Sequence, residues 1–362
     1  MTARPYALVT GATGYIGGLL VPALLDRGWR VRVLCRDATR VASRDWADRV
    51  DVVEGDAAEP SALDRALAGV DVAYYLLHSM GGGRDFVVRD RALAEGFAAA
   101  AVRAGVGRIV YLSGLHPDGP LSPHLGSRVE VGRVLLGSGV PTAVLQAGVV
   151  LGAGSASFDM LRYLTERLPV MVGPKWLRNR IQPIAVDDVL YYLRAAAQLA
   201  PGLSRSFDIG GPDVLTYADM IRGYARVTGL GRRLVVSVPV LTPRLASLWV
   251  GLVTPVRAEI ARPLVGSLVH EAVAGEDDLV TLVGPPPGGR TPFEQAIRRA
   301  TGGTTGGASR RTARELALGA AVLALVAGVA AVAARSRTVR GLSRAAGRPR
   351  GCCRPRGVAR RR

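Results

Sequence analysis

The stretch TGATGYIGG places Gly11, Gly14 and Gly17 three residues apart, between a short apolar run and an amphipathic one. In that context glycine permits a tight turn, close approach of the backbone to an anion and close packing of a helix, whose N-terminus offers N–H groups to negative charge. The chemistry implied is recognition of a dinucleotide pyrophosphate, with Gly11, Thr13, Gly14, Tyr15, Ile16 and Gly17 as the contact stretch. A second group carries different chemistry: Ser113 stands next to last in the run GRIVYLSG, and His124 and Arg128 bound HLGSR. A hydroxyl can orient a carbonyl oxygen, an imidazole can exchange a proton near neutral pH, and a guanidinium keeps a fixed charge.

Further candidates follow the predicted strand ends. Arg36 and Asp37 come directly after the second strand, where the adenosine ribose is read. A guanidinium there pairs with a 2'-phosphate through a charge-assisted fork, which favours NADP (NADPH); Asp37 on the ribose hydroxyls makes NAD the alternative. Arg32 and Arg40 are secondary partners for the phosphate. Asp56, after Gly55, borders the adenine. His78 and Ser79 end the fourth strand and Gln146 lies near the end of a later one, so these three face the ribose or nicotinamide. Tyr111 alternates within its strand and reads as core. Asp187 and Asp188 read as a helix cap plus a surface charge. The four histidines lack the compact spacing of a structural zinc site, so no metal is expected.

These residues need a scaffold of strand ends and helix starts. Residues 6–10, 31–35, 50–55, 70–78, 107–114 and 142–152 are short, apolar and β-prone, and helical patterns separate them, including 15–27, a Ser61-capped segment and one closed by Gly137 or Gly139. Strict alternation predicts an α/β fold, a doubly wound parallel-sheet Rossmann architecture with helices on both faces. Residues 153–180 and 212–280 interrupt the alternation and are expected to form a smaller C-terminal, substrate-side region of one domain spanning 1–300. Residues 241–269 are apolar with prolines, and 293–300 form a last short helix.

Composition limits the function classes. The 362 residues carry a formal charge of +18, but residues 301–362 hold 14 Arg against Glu315 alone, while the first 300 carry 33 basic and 28 acidic groups. No basic platform interleaved with aromatics accompanies the charge, so no nucleic acid is expected. Three cysteines give no disulfide framework, and no signal segment precedes the first strand.

TGATGYIGG, the Gly55–Asp56 pair, YLSG at 111–114 and PIAVDDV at 183–189 resemble the extended and atypical short-chain dehydrogenase/reductases, particularly the NmrA-like NAD(P)H-binding group and the sugar-nucleotide-epimerase relatives. The resemblance covers about residues 5–300. It implies that Ser113 occupies the position of the family's active-site serine, and that His124 and Arg128 stand where a Tyr-x-x-x-Lys motif supplies the proton donor and the ribose-holding cation. A small-molecule substrate, organic, lipophilic or quinone-like, follows for a reductase. The alternatives are a non-catalytic NAD(P)H sensor or assembly factor, or a sugar-nucleotide epimerase-like enzyme.

Beyond a linker at 301–315, residues 316–334 are 19 uncharged residues, about 28 Å as a helix against a hydrocarbon core of about 30 Å. They are expected to form a terminal apolar, transmembrane helix, followed by a basic disordered tail at 335–362 in contact with membrane or anionic lipid. The expected location is membrane-associated with a cytoplasmic cofactor domain, a soluble cytoplasmic protein being the alternative. Oligomeric state is left open.

Overall fold

Strand and helix alternate from the first apolar run onward: β1 (Tyr6–Thr10), α1 (Tyr15–Leu25), β2 (Arg30–Cys35), α2 (Thr39–Ala42), β3 (Asp51–Glu54), α3 (Pro60–Leu67), β4 (Val72–Tyr75), α4 (Phe86–Arg103), β5 (Arg108–Gly114), α5 (Pro123–Leu136) and β6 (Thr142–Ala147). The computed structural model describes residues 4–78, 86–117, 119–238 and 269–302, with 254 and 266 between the last two stretches. The chain continues through β7 (Val150–Leu151), α6 (Ala156–Arg167), β8 (Val170–Pro174), β9 (Arg180–Ile181), β10 (Ile184–Ala185) and α7 (Val186–Ala196). It closes with β11 (Arg205–Ile209), β12 (Leu215–Thr216), α8 (Tyr217–Val227), β13 (Leu234–Val238), α9 (Asp278–Val283) and α10 (Phe293–Ala300).

The main sheet has seven strands in the order β3-β2-β1-β4-β5-β6-β11, all paired in parallel. This is the doubly wound Rossmann arrangement, whose order reverses between β1 and β4 and opens a crevice at their C-terminal ends. Alternate residues of one strand serve opposite faces. Ala7 and Val9 join Tyr74, Leu20, Leu24, Tyr192 and Leu193 in one apolar layer. Tyr6 and Leu8 join Tyr75, Leu63, Phe97 and Leu135 in the other. Each fully buried Leu or Phe stabilises the sandwich by about 1.5–3 kcal/mol, so both faces are firmly covered.

The chain leaves the C-terminal ends of β6 and β11 to build a third cluster, from Leu151, Phe158, Met171, Ile181, Tyr224, Phe293 and Ile297. Short ladders support it: β8 with β13 and β7 with β10 in parallel, β9 with β12 antiparallel. Within it Thr216 caps α8 through a reciprocal box with Asp219.

Several sequence expectations need correction. The 50–55 strand is not buried: β3 is the sheet edge, and Val52 is 40% exposed. Ser61 lies inside α3, whose N-cap is Glu59 with Pro60 in the first turn. Asp187 is likewise past the N-cap of α7, which is Ala185. The expectation of a transmembrane helix and a membrane-associated location is also corrected, because no helix among the described residues is long and apolar enough to cross a membrane. The longest, α4, has 18 residues but carries Arg89, Asp90, Arg91, Glu95 and Arg103, charges that a hydrocarbon core excludes. Residues 316–334 and the tail at 335–362 lie outside the described residues, as does most of 241–269.

Candidate functional site

The crevice begins where β1 stops. Thr10, fully buried, donates from Oγ1 to the Tyr74 carbonyl (3.0 Å) and accepts the Leu76 N–H (3.1 Å), tying the ends of β1 and β4 together. Gly11 then turns with φ +69°, and a Cβ there would lie 2.5 Å from the Leu76 carbonyl oxygen. Gly14 donates to the Gly11 carbonyl (2.9 Å) and stands extended as the N-cap of α1 without a side-chain cap. A Cβ on Gly17 would meet the same carbonyl oxygen at 2.3 Å. The turn is thus packed backbone against backbone with no room for side chains at Gly11 and Gly17, and it presents first-turn N–H groups that have no partner within the helix. That fits a pyrophosphate.

The structure separates two roles within this stretch. Thr13 offers its carbonyl to Arg44 Nη2 (2.9 Å), and Ile16 packs on the main core. The Tyr15 ring turns away toward Gly152 and Gly154, and a Cβ on Gly152 would lie 2.2 Å from its hydroxyl. That hydroxyl is buried without a hydrogen-bond partner, and burial, with Asp187 and Asp159 nearby, pushes its pKa up to about 12. Tyr15 therefore faces the anion through its backbone and the C-terminal region through its side chain.

At the adenosine end, Arg36 follows β2 exposed, with no hydrogen bond or ion pair to any described residue. Asp37 folds into a local turn, accepting the Thr39 N–H (3.0 Å) and hydroxyl (2.6 Å), which hold its carboxyl below the usual range. Asp56 likewise accepts the Ala58 N–H (2.9 Å), closing the turn after β3. Arg32 is not a phosphate partner: its Nη1 donates to the carbonyls of Arg65, Ala66 and Ala68 and closes the end of α3. Arg40 sits exposed on α2.

The third part lies at the ends of β4 and β5. Ser113 is 3% exposed, and its Oγ has no hydrogen-bond partner of ordinary geometry. Across from it α5 starts at the Ser122 cap, whose Oγ accepts the Leu125 N–H (3.2 Å) and so aims the first turn. Arg128 donates from Nη2 to the Leu112 carbonyl, leaving a buried Nε without a partner, and that Nε lies 3.9 Å from where a Cβ on Gly114 would stand. His124, 9% exposed, packs edge-to-face on His78 with ring centroids 4.6 Å apart. Burial first and the Arg128 charge second lower the His124 pKa to about 4; the same two causes, then His124, lower His78 to about 2. Both imidazoles are neutral at neutral pH, so His124 is a hydrogen-bond donor or acceptor and not a stored imidazolium. Tyr111 is core, 3% exposed, with its hydroxyl on the Arg128 carbonyl (3.2 Å).

On the β6 side Gln146 pairs in register with Ser113. Its amide nitrogen stands 3.2 Å from His116 Nε2. The small residues after it serve packing, since a Cβ on Gly148 would meet the Gln182 carbonyl oxygen at 2.5 Å. Asp187 and Asp188 are no acid/base pair. Asp188 is buried and accepts the N–H and hydroxyl of Thr291 (2.7 and 2.9 Å), while Asp187 pairs with Arg299 at the surface (3.0 Å).

His124 and His78 are therefore brought together, Arg128 lies against the end of β5 that carries Ser113, and the glycine turn lies beside them across β4. Ser79 lies outside the described residues. Three residues escaped sequence reasoning. Arg44 follows Arg36 and Arg40 at intervals of four, the signal that points to it, although only Arg40 lies in α2. His116 sits three residues after Ser113. Asp90 carries no local signal and comes close to His78 only through the fold.

A family model described as NAD(P)H-binding matches residues 11–135. A ceramide reductase of Caulobacter vibrioides is 32% identical over 246 residues, covering 64% of this chain and 74% of that one. A (4-alkanoyl-5-oxo-2,5-dihydrofuran-3-yl)methyl phosphate reductase of Streptomyces griseus is 29% identical over 231 residues, 61% and 73% of the two chains. The fold also resembles the crystal structure of a Citrobacter sp. triphenylmethane reductase complexed with NADP(H), with a TM-score of 0.64 and 20% identity over 81% of this chain and 99% of that one. The protein binds NAD(P) through its Rossmann domain and is oxidoreductase-like, related to reductases and epimerases of varied small organic substrates. The chain belongs to the NAD(P)-binding Rossmann-fold superfamily and is related to its extended, NmrA-like group of short-chain dehydrogenase/reductases.

Proposed function

We propose that the protein is an NADPH-dependent reductase acting on a small, lipophilic or quinone-like carbonyl substrate. One observation carries this reading: Ser113 Oγ and Arg128 Nε are buried polar atoms with no hydrogen bond of ordinary geometry among the described residues, at the end of the crevice that continues the glycine turn. Buried polar groups are normally satisfied, and two orphans at one strand end mark the place of a polar ligand. The reductase names of the two relatives support the direction of hydride flow.

In this reading the backbone of residues 11–17 holds the pyrophosphate and Arg36 the 2'-phosphate, with Asp37 committed to its own turn. Asp56 and Gln146 border the adenine and nicotinamide ends. When bound, the reduced nicotinamide supplies the hydride. Ser113 Oγ and a ring N–H of His124 hold the carbonyl oxygen as negative charge develops on it. Because His124 is neutral, it donates its N–H to the alkoxide and is reprotonated from water. Arg128 replaces the family lysine as a fixed cation, holding a ribose hydroxyl without changing its own protonation. In this reading the described residues of 153–180 and 212–280 form the substrate side.

The test is cofactor oxidation by the full-length chain against a panel of carbonyls and quinones, with NADPH and NADH compared. Turnover with NADPH and a lipophilic carbonyl supports the reading. Tight NADPH binding with no turnover on the whole panel selects the sensor alternative, which the replacement of Tyr and Lys by His124 and Arg128 favours.

A further inference from the structure

Asp90 is a carboxylate inside the protein, in the first turns of α4 and 5% exposed. Such a group is costly unless donors or an opposite charge face it. The Ser127 hydroxyl donates to its Oδ2 from α5 (3.2 Å), and the same oxygen stands 3.9 Å from His78 Nδ1. Among the described residues no arginine pairs with it; the Arg128 charge acts on His78 and Tyr111, and Asp90 on Tyr75 and Tyr111. The cluster therefore joins a buried carboxylate, the half-buried Arg128 and two imidazoles in ring contact.

Resting on the reductase reading, we infer that Asp90 and His78 are positioning residues for His124, with Asp90 fixing the His78 tautomer and His78 fixing the orientation of the His124 ring. A neutral imidazole facing a carboxylate puts its proton on the nitrogen that faces it, here Nδ1. The other nitrogen, Nε2, is then an acceptor, and it is buried without a partner. It is the lone pair that takes a hydroxyl of the bound ligand. The gap of 3.9 Å closes to a hydrogen bond when the site fills, as contacts of this kind tighten in the occupied complex. The edge-to-face contact at 4.6 Å then leaves the His124 ring one place to stand. In a chain without the family's tyrosine and lysine, this acid–imidazole pair does the orienting.

The experiment uses the full-length protein labelled with ¹⁵N-histidine, with and without NADPH, as wild type, Asp90→Asn, Asp90→Glu and Ser127→Ala. The expected result is an Nδ1–H tautomer for His78 in the wild type and its loss in Asp90→Asn. For a carbonyl or quinone that the wild type reduces, kcat falls about 10-fold to 100-fold in Asp90→Asn while NADPH affinity changes by less than about threefold. Asp90→Glu recovers part of the loss. An Nε2–H tautomer for wild-type His78, or an unchanged kcat in a folded Asp90→Asn, overturns the inference. If Asp90→Asn does not fold, the wild-type tautomer and the rate of Ser127→Ala decide it. If the wild type reduces nothing, the reductase reading falls, while the His78 tautomer still tests the Asp90 contact.

Discussion

At the glycine turn after β1 the backbone itself is the binding surface, and Gly11 and Gly17 are so crowded that a Cβ would run into carbonyl oxygens at 2.5 and 2.3 Å. At the ends of β4 and β5 the surface consists of side chains, and Ser113, Arg128 and His78 each keep a buried polar atom without a partner. The first region is set by shape and tolerates no added atom. The second is set by protonation and charge, so it can be tuned one functional group at a time. In the reading that places His124 and Arg128 at the family's tyrosine and lysine positions, this difference lets the cofactor fold persist while the side-chain chemistry changes.

The sharpest way to break the comparison is Gly17→Ala. One methyl group placed against the Gly11 carbonyl must shift either the turn or α1, and NADPH affinity in a fluorescence titration should fall by about 100-fold or more, with a lower Tm. Near-normal affinity would mean that the turn relaxes and that shape is not its constraint. Ser113→Ala probes the other region: kcat should drop about 10-fold with cofactor affinity unchanged, because the loss is confined to the oxygen being reduced. Arg36→Ala should weaken NADPH about 10-fold and leave NADH unchanged, since its guanidinium has nothing else to hold. Equal binding of the two cofactors by the wild type would remove the 2'-phosphate assignment.

A separate effect is on stability against pH. Unfolded, both imidazoles titrate near 6.5; folded, His124 stays neutral to about 4 and His78 to about 2. Between pH 6.5 and 4 the unfolded chain binds more protons, so stability falls on acidification by about 1.4 kcal/mol per pH unit for each imidazole, and these groups contribute no slope above 6.5. Calorimetry should show a declining Tm below pH 6.5 and a shallower decline for His124→Gln. Identical slopes would show that His124 is hydrated and not held neutral by burial.

The readable features were those with local signals. Glycine spacing between a strand and a helix locates the pyrophosphate cradle because each glycine acts within a few residues of itself. Alternation of short apolar runs with helices gives the parallel sheet, since periodicity reports which face is buried. Edge position is not local, which is why β3 reads as buried and is not. Side-chain direction is also not local: Tyr15 belongs to the cofactor loop by position, yet its ring packs on Gly152. Arg32 reads as a phosphate partner until α3 presents three carbonyls to it. The least legible part is the cluster of His78, Asp90, His124 and Ser127, which comes together only when α4 and α5 pack beside the ends of β4 and β5.

The central claim is that His124, a neutral and buried imidazole, serves hydride transfer at the end of a cofactor site it does not itself build. Single-turnover oxidation of bound NADPH by a carbonyl or quinone, in the full-length wild type and in His124→Ala, tests it most directly. His124→Ala should lose about 100-fold in the transfer rate with NADPH affinity unchanged. Equal rates in the two proteins, with the variant correctly folded, would contradict it.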